Sequence, residues 1–295
     1  MATREADLKA QVRAFYDSVG WKQVGEGLYQ NARYEDLRPV SREYIHRCHL
    51  RVARHLPPHG RLLLDAGSGP IQYPEYLEYS RGFKRHVCLD ISRRALVEAR
   101  SRLGEHGSYV VGDIANLPFA DGVFEGMVSL HAVHHLPADE HSRAFAEFYR
   151  TLRPGGKAVV VYSWGEGAPL TRVLKLPIAG AFAALRLYRR LARREMPAVA
   201  RPERGGAPQA TFTHKYDYRW ARQHLSWLPG LEVRVWRSAS TSFLRAFIHR
   251  PLLGRQWLRL LYWFEERAPR VLGRLGQYPM FLFHKPSQEH PRLEA

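Results

Sequence analysis

Three carboxylates end three hydrophobic runs: Asp65 in RLLLD, Asp90 in HVCLD, and Asp113 just past SYVVG. Between the first two lies Gly67-Ser68-Gly69. A chain leaving a strand through Gly-x-Gly brings its backbone close to a ligand, because no Cβ intervenes. The longer dinucleotide form, G-x-G-x-x-G, wants glycine at position 72, where Gln72 stands. Two glycines alone suit several kinds of nucleotide site, so the acids must discriminate. Asp65, directly before the loop, repels a pyrophosphate, which seeks N–H donors and cations, but it receives an ammonium. Asp90 is placed to accept from both ribose hydroxyls. Asp113 can accept from the exocyclic amine of adenine, with the Ile114 backbone as a donor. Three acids at consecutive strand ends point to a cationic, adenosine-bearing ligand, whereas NAD needs only the second.

A second cluster, His131, His134 and His135, sits in SLHAVHHLP. Its spacing could hold a metal, but no Cys or acid completes a ligand set nearby, and no metal is expected. His134 or His135 could act as a general base if the acceptor sheds a proton during attack. The alternative, which we favour, has His131 lining the ligand pocket and the other two packing locally.

These residues need a scaffold that brings strand ends together. Strands are expected at 61–65, 86–90, 108–112, 123–130 and 157–163, alternating with helices at 73–80, 92–103 and 139–152. Ser92 caps the second of those helices, and RPGG at 153–156 stops the third with glycines that supply a left-handed turn. This alternation implies an α/β fold with a doubly wound, mostly parallel sheet. Two helices precede it, at 4–20 and at 41–55, the latter capped by Ser41. After Ser163 the rhythm breaks into helices and loops with a Gly/Pro-rich hinge, RPERGGAP, at 201–208. A strand at 231–237, a helical stretch of some 40 residues and a last strand at 279–285 follow.

The segments LLLDAGSG, VCLDIS, VGDIANLPFADGVFEGMVSLHAVHHL and LRPGGKAVVVYS resemble, in order and spacing, the motifs of class I S-adenosylmethionine-dependent methyltransferases. The nearest flavour is the broad ubiquinone/menaquinone methyltransferase-like group (Methyltransf_11 type), over about residues 60–163. Gln72 and Pro70 depart from its glycine-rich continuation, and Pro70 fits the opening turn of a helix. The resemblance implies a Rossmann-like seven-stranded sheet whose last strand inserts antiparallel, with helical cap insertions. S-adenosyl-L-methionine is the implied cofactor, held by Asp65, Ala66, Gly67, Ser68, Gly69, Asp90, Ile91, Asp113, Ile114, Leu130 and His131. Because the family's N-terminal helix often closes over cofactor and substrate, Tyr16, Tyr29, Tyr34 and Arg38 become candidate substrate contacts. The expected organisation is an N-terminal helical cap (1–60), the cofactor-binding core (61–163), a basic helical insertion (164–230) and the last two strands (231–295), interrupted by a basic helical insertion at 238–278.

The charge is uneven. The chain of 295 residues carries a formal net charge of +17. Residues 164–230 hold 12 Lys and Arg against 4 Asp and Glu, and residues 238–278 hold 7 against 2. Both segments interleave arginine with Leu, Phe, Trp and Tyr, a pattern suited to an anionic membrane surface, to a helical lid, or to RNA. No stretch reaches the roughly 18 apolar residues of a spanning helix. Two cysteines and no apolar leader at the N-terminus favour a reducing, cytoplasmic setting, peripheral on the inner membrane surface if the basic helices dock there. The expected acceptor is a small hydrophobic or lipid molecule such as a quinone, a lipid or a lipid-linked sugar. Nucleic acid is the lesser alternative, and a non-catalytic docking module the other.

Overall fold

The β-branched and leucine-rich runs pair as one seven-stranded sheet in a computed structural model that describes residues 2–21, 23–25, 28–29, 35–191 and 211–287. A small hairpin, β1 (Gln23–Gly25) and β2 (Leu28–Tyr29), stands apart. The main sheet contains β3 (Gly60–Ala66), β4 (Phe83–Asp90), β5 (Gly107–Val111), β6 (Phe124–Leu130), β7 (Leu152–Val161), β8 (Glu232–Arg237) and β9 (Tyr278–His284). Its order is β5-β4-β3-β6-β7-β9-β8. The first five are parallel, and β9 runs antiparallel to both neighbours. This is the mixed seven-stranded sheet that the resemblance implies. It also leaves β8 pointing the same way as β3, so the carboxyl ends of β3, β4, β6, β7 and β8 share one edge with the start of β9.

Successive residues serve opposite faces, as the pleat requires. Leu63, Cys88, Val159 and Met280 join one core, and Leu64, Val87, Val160 and Phe281 the other. The first core is covered by α2 (Arg42–Ala53) through Tyr44, Ile45, Cys48 and Val52. The second is covered by α4 (Glu140–Thr151), whose Ala144, Phe145 and Phe148 recur at helical spacing. On α3 (Arg93–Leu103), Ser92 Oγ accepts from the Ala95 N–H at 3.1 Å, a cap worth about 1 kcal/mol. Ahead of the sheet, α1 (Ala2–Phe15) continues as a π-turn over Tyr16–Gly20.

Four local expectations change. Ser41 precedes α2 without capping it, because its hydroxyl donates to Asp36 at 2.6 Å. Residues 74–80 form a 3₁₀ helix rather than an α-helix. Pro70 opens no helix, since Ile71 follows it in a left-handed conformation (φ 53°). The late helical stretch is three α-helices, α7 (Thr241–Phe247), α8 (Gly254–Arg267) and α9 (Pro269–Leu275), with a 3₁₀ turn at Arg250–Leu252 between the first two. They follow α5 (Pro169–Leu191) and α6 (Tyr218–His224). The expected hinge at 201–208 lies outside the described residues.

Candidate active site

A cavity of about 450 Å³ opens at the carboxyl edge of the sheet, under α1 and the π-turn that follows it. Its floor is the glycine loop. Gly67 (φ 79°) and Gly69 (φ 57°) occupy conformations that L-residues avoid. A methyl on Gly67 would lie 2.4 Å from Ala132 Cβ, and one on Gly69 would lie 3.0 Å from the Trp21 ring. Gln72 also lines the cavity, and its amide donates to the Tyr73 hydroxyl at 2.8 Å. Position 72 therefore needs no glycine, because the chain turns at Ile71 instead.

The three acids line this one cavity. Asp65 is buried and its carboxylate lies 3.3 Å from His86 Nε2, while His86 Nδ1 faces Ser80 Oγ at 2.9 Å. Asp90 accepts the Gly69 N–H at 2.9 Å and the Ser92 N–H at 2.8 Å, so it holds the glycine loop against the start of α3. One lone pair on each oxygen stays available to a ligand. Burial raises its pKa to about 6, with Asp65 and Asp17 adding to the rise and the two N–H donors opposing it. Asp113 accepts the Ala115 N–H at 2.9 Å and pairs with Lys9 of α1 at 2.5 Å. Lys9 also reaches Glu140 at 2.6 Å, so α1 is tied across the cavity mouth to two elements of the core.

The histidines separate by their partners. His135 Nδ1 lies 2.9 Å from the Phe212 carbonyl and its Nε2 lies 2.8 Å from the Tyr16 hydroxyl. The carbonyl requires Nδ1–H, so Nε2 accepts from the phenol, and burial holds the ring neutral with a pKa of about 4. His134 is buried with Nδ1 unpartnered, and burial pushes its pKa down as well, with the neighbouring His135, His131 and Lys215 adding to the fall. His131 packs edge-on to Trp236 and Tyr278 and sits at φ 57°, a left-handed conformation rare outside glycine. Among the described residues no group of His, Cys, Asp or Glu could hold a metal.

Residues 64–160 match the family described as Methyltransferase domain. This segment is a class I S-adenosylmethionine-dependent methyltransferase domain. The tRNA (carboxymethyluridine(34)-5-O)-methyltransferase of Xenopus tropicalis is 30% identical over 42% of this chain and 22% of its own length. The phthiotriol/phenolphthiotriol dimycocerosates methyltransferase 1 of Mycobacterium ulcerans is 32% identical over 43% of this chain and 50% of its own. The chain thus spans half or less of the length of these relatives. In fold, the phosphoethanolamine N-methyltransferase 1 of Haemonchus contortus superposes on 98% of this chain and 51% of its own, with a TM-score of 0.56 and 11% identity. S-adenosylmethionine is the domain's cofactor. The site fits it, since a side-chain-free loop and three carboxylates on one cavity match a ligand with an ammonium, a ribose and an amine.

Of the residues expected to touch the methyltransferase cofactor, all but Ala66 line the cavity, and Ala66 is buried in the core behind it. Tyr16, His134 and His135 line it too. Arg38 does not. Its guanidinium clasps Asp36 through two contacts of 2.7 Å and donates to the Leu244 carbonyl at 2.8 Å, which fastens the entry to α2 onto α7. The Tyr29 side chain and the whole of Tyr34 lie outside the described residues. Sequence reading missed Lys9, Trp21, Glu35, Arg237 and Tyr278, all on the cavity wall. Arg237 carried a signal, because it ends a strand that lies parallel to the cofactor-bearing ones, where ligands of α/β sheets bind. That orientation follows only once β9 is known to run antiparallel.

Proposed function

We propose that the protein methylates a small apolar or membrane-associated acceptor, such as a quinone, a lipid or a lipid-linked sugar, by direct in-line transfer. The observation that carries this reading is the cavity wall beyond the glycine loop, built from Phe15, Tyr16, Tyr73, Tyr76, Leu130 and Tyr278. Such a wall takes up apolar surface and excludes water. The cofactor supplies an already activated methyl group, so the protein's task is orientation and exclusion of water. In this reading Asp65 receives the ammonium, Asp90 the ribose hydroxyls, and Asp113 with the Ile114 N–H the adenine. Where the acceptor is a hydroxyl, Tyr16 is within reach to pass its own proton to His135 Nε2 as it takes up the acceptor's.

The outer surface supports a membrane source for the acceptor. On α8, Leu258, Tyr262 and Glu265 face inward, while Trp257, Leu260, Trp263 and Phe264 are 42–59% exposed beside Arg255 and Arg259. On α5, Val173 and Leu176 are 73% and 82% exposed beside Arg172 and Lys175. Exposed apolar side chains among arginines suit the headgroup region of an anionic bilayer. Among the described residues no helix is long and apolar enough to cross a membrane.

The test incubates purified protein with methyl-labelled S-adenosylmethionine and a host-cell extract, then partitions the products between chloroform and water. Label is expected in chloroform. Label confined to water and released by nuclease would replace this reading with RNA methylation.

A further inference from the structure

Among the described residues, Arg237 is a buried cation whose donors the fold leaves largely unanswered. It ends β8 where the register against β9 slips, between Val235 and Arg237, an irregularity of the kind that re-aims a side chain. Its side chain is 1% exposed, lines the cavity, and lies 4.5 Å from the Tyr278 ring centroid and 5.1 Å from that of Trp236. Nε and Nη1 are both buried without a hydrogen-bond acceptor. Aromatic faces attract a guanidinium but do not replace acceptors, and a buried unpaired cation is destabilising by several kcal/mol.

The neighbouring acids do not fill that role. Glu35 lines the same cavity and attracts the guanidinium through space, but its carboxylate contacts His49 Nε2 at 3.2 Å and makes no hydrogen bond to Arg237 Nε or Nη1. Glu265, below, is held by Tyr44, Arg51 and Ser238. Asp65, Asp90 and Asp113 lie on the glycine-loop side of the cavity, where the cofactor's own groups use them. A cation with unused donors therefore remains at the end of the cavity walled by Tyr278, His131 and Tyr73, where the acceptor would sit.

We infer that Arg237 is a specificity residue, and that the methyl acceptor is an apolar molecule carrying an oxyanion, a carboxylate or a comparably acidic oxygen, which the guanidinium receives. The inference rests on the reading that the acceptor occupies this cavity. It narrows that reading from apolar acceptors in general to acidic ones. Tyr278 and Trp236 fix the plane of the guanidinium, so the oxyanion is held at a set position and the reacting atom of the acceptor is oriented with it.

The test uses full-length protein saturated with S-adenosylhomocysteine and two probes of one shape, 2-naphthoate and neutral 2-naphthamide. Titration calorimetry compares wild type, Arg237→Met, Arg237→Lys and the exposed-site control Arg100→Met. Wild type and Arg100→Met should bind naphthoate at least tenfold more tightly than naphthamide. Arg237→Met should lose that preference, and Arg237→Lys should keep part of it. Equal binding of the two probes by wild type, or a preference that survives in Arg237→Met, overturns the inference. So does a tenfold loss of S-adenosylhomocysteine affinity in Arg237→Met, which would assign the guanidinium to the cofactor's carboxylate. The phase that takes up label in the extract assay bears only on the broader acceptor reading, so the two fail separately.

Discussion

Arg51 and Arg237 are both buried at the same end of β8, and they are treated in opposite ways. Arg51 of α2 is fully answered: it meets Glu265 at 3.1 Å and Glu266 at 2.9 Å, and it also donates to the Trp236 carbonyl. Glu265 in turn accepts from the Tyr44 hydroxyl and from both Ser238 donors at 2.6–2.8 Å. That network ties α2, α8 and the end of β8 together. Arg237, next to the same carbonyl, has rings around it and no acceptor for Nε or Nη1. A fold that satisfies one buried arginine so completely had the means to satisfy the other. The difference separates a charge that holds the scaffold from a charge kept for a ligand.

The comparison breaks most visibly on stability. Removing a partner from a buried ion pair typically destabilises by about 3–5 kcal/mol, whereas removing a buried cation that lacks hydrogen-bond acceptors also relieves its own desolvation. Glu265→Ala should therefore lose about 3 kcal/mol or more in urea denaturation, and Arg237→Met should lose clearly less, its cost being the through-space attraction to Glu35. A loss in Arg237→Met as large as that in Glu265→Ala would make the two arginines equivalent and erase the distinction.

A smaller effect tests the acidic end of the cavity. Asp90→Ala should weaken S-adenosylhomocysteine binding by about 2–3 kcal/mol, the scale of hydrogen bonds to a charged acceptor. Because burial raises the Asp90 pKa to about 6, the carboxylate that accepts ribose hydroxyls is present above that value and lost below it. Wild-type affinity should fall as pH drops through about 6, and Asp90→Asn should lack that step. For folding the sign is the reverse. A raised carboxyl pKa contributes stability below the unfolded value of about 4, and that contribution disappears as pH rises through about 6. The smallest change is expected from Tyr16→Phe. It removes the donor to His135 Nε2 and should lower stability by about 1 kcal/mol without altering cofactor affinity. A tenfold loss of affinity would place Tyr16 on the cofactor instead.

The two ends of the cavity were also unequally legible in the sequence. Asp65, Gly67, Gly69, Asp90 and Asp113 each stand next to a hydrophobic run, so local pattern alone puts them at neighbouring strand ends. The parallel strands β3 to β7 announce themselves in the same way. Arg237 and Tyr278 are 41 positions apart in sequence and meet only because β9 inserts between β7 and β8, a pairing that no local period encodes. Arg38 misled for a related reason. A lone arginine in a tyrosine-rich segment resembles a substrate contact, and only tertiary packing brings Asp36 and the Leu244 carbonyl to it. Ser41 misled similarly, since Asp36 is a stronger partner for its hydroxyl than the helix N–H groups. Burial and strand order decided these cases, and neither is local.

The most direct measurement is the rate at which Arg237→Met and wild type transfer labelled methyl groups from S-adenosylmethionine into chloroform-soluble product from the same extract. The account predicts a loss of at least tenfold, with S-adenosylhomocysteine affinity unchanged and the variant still folded. Undiminished transfer by the variant would contradict it.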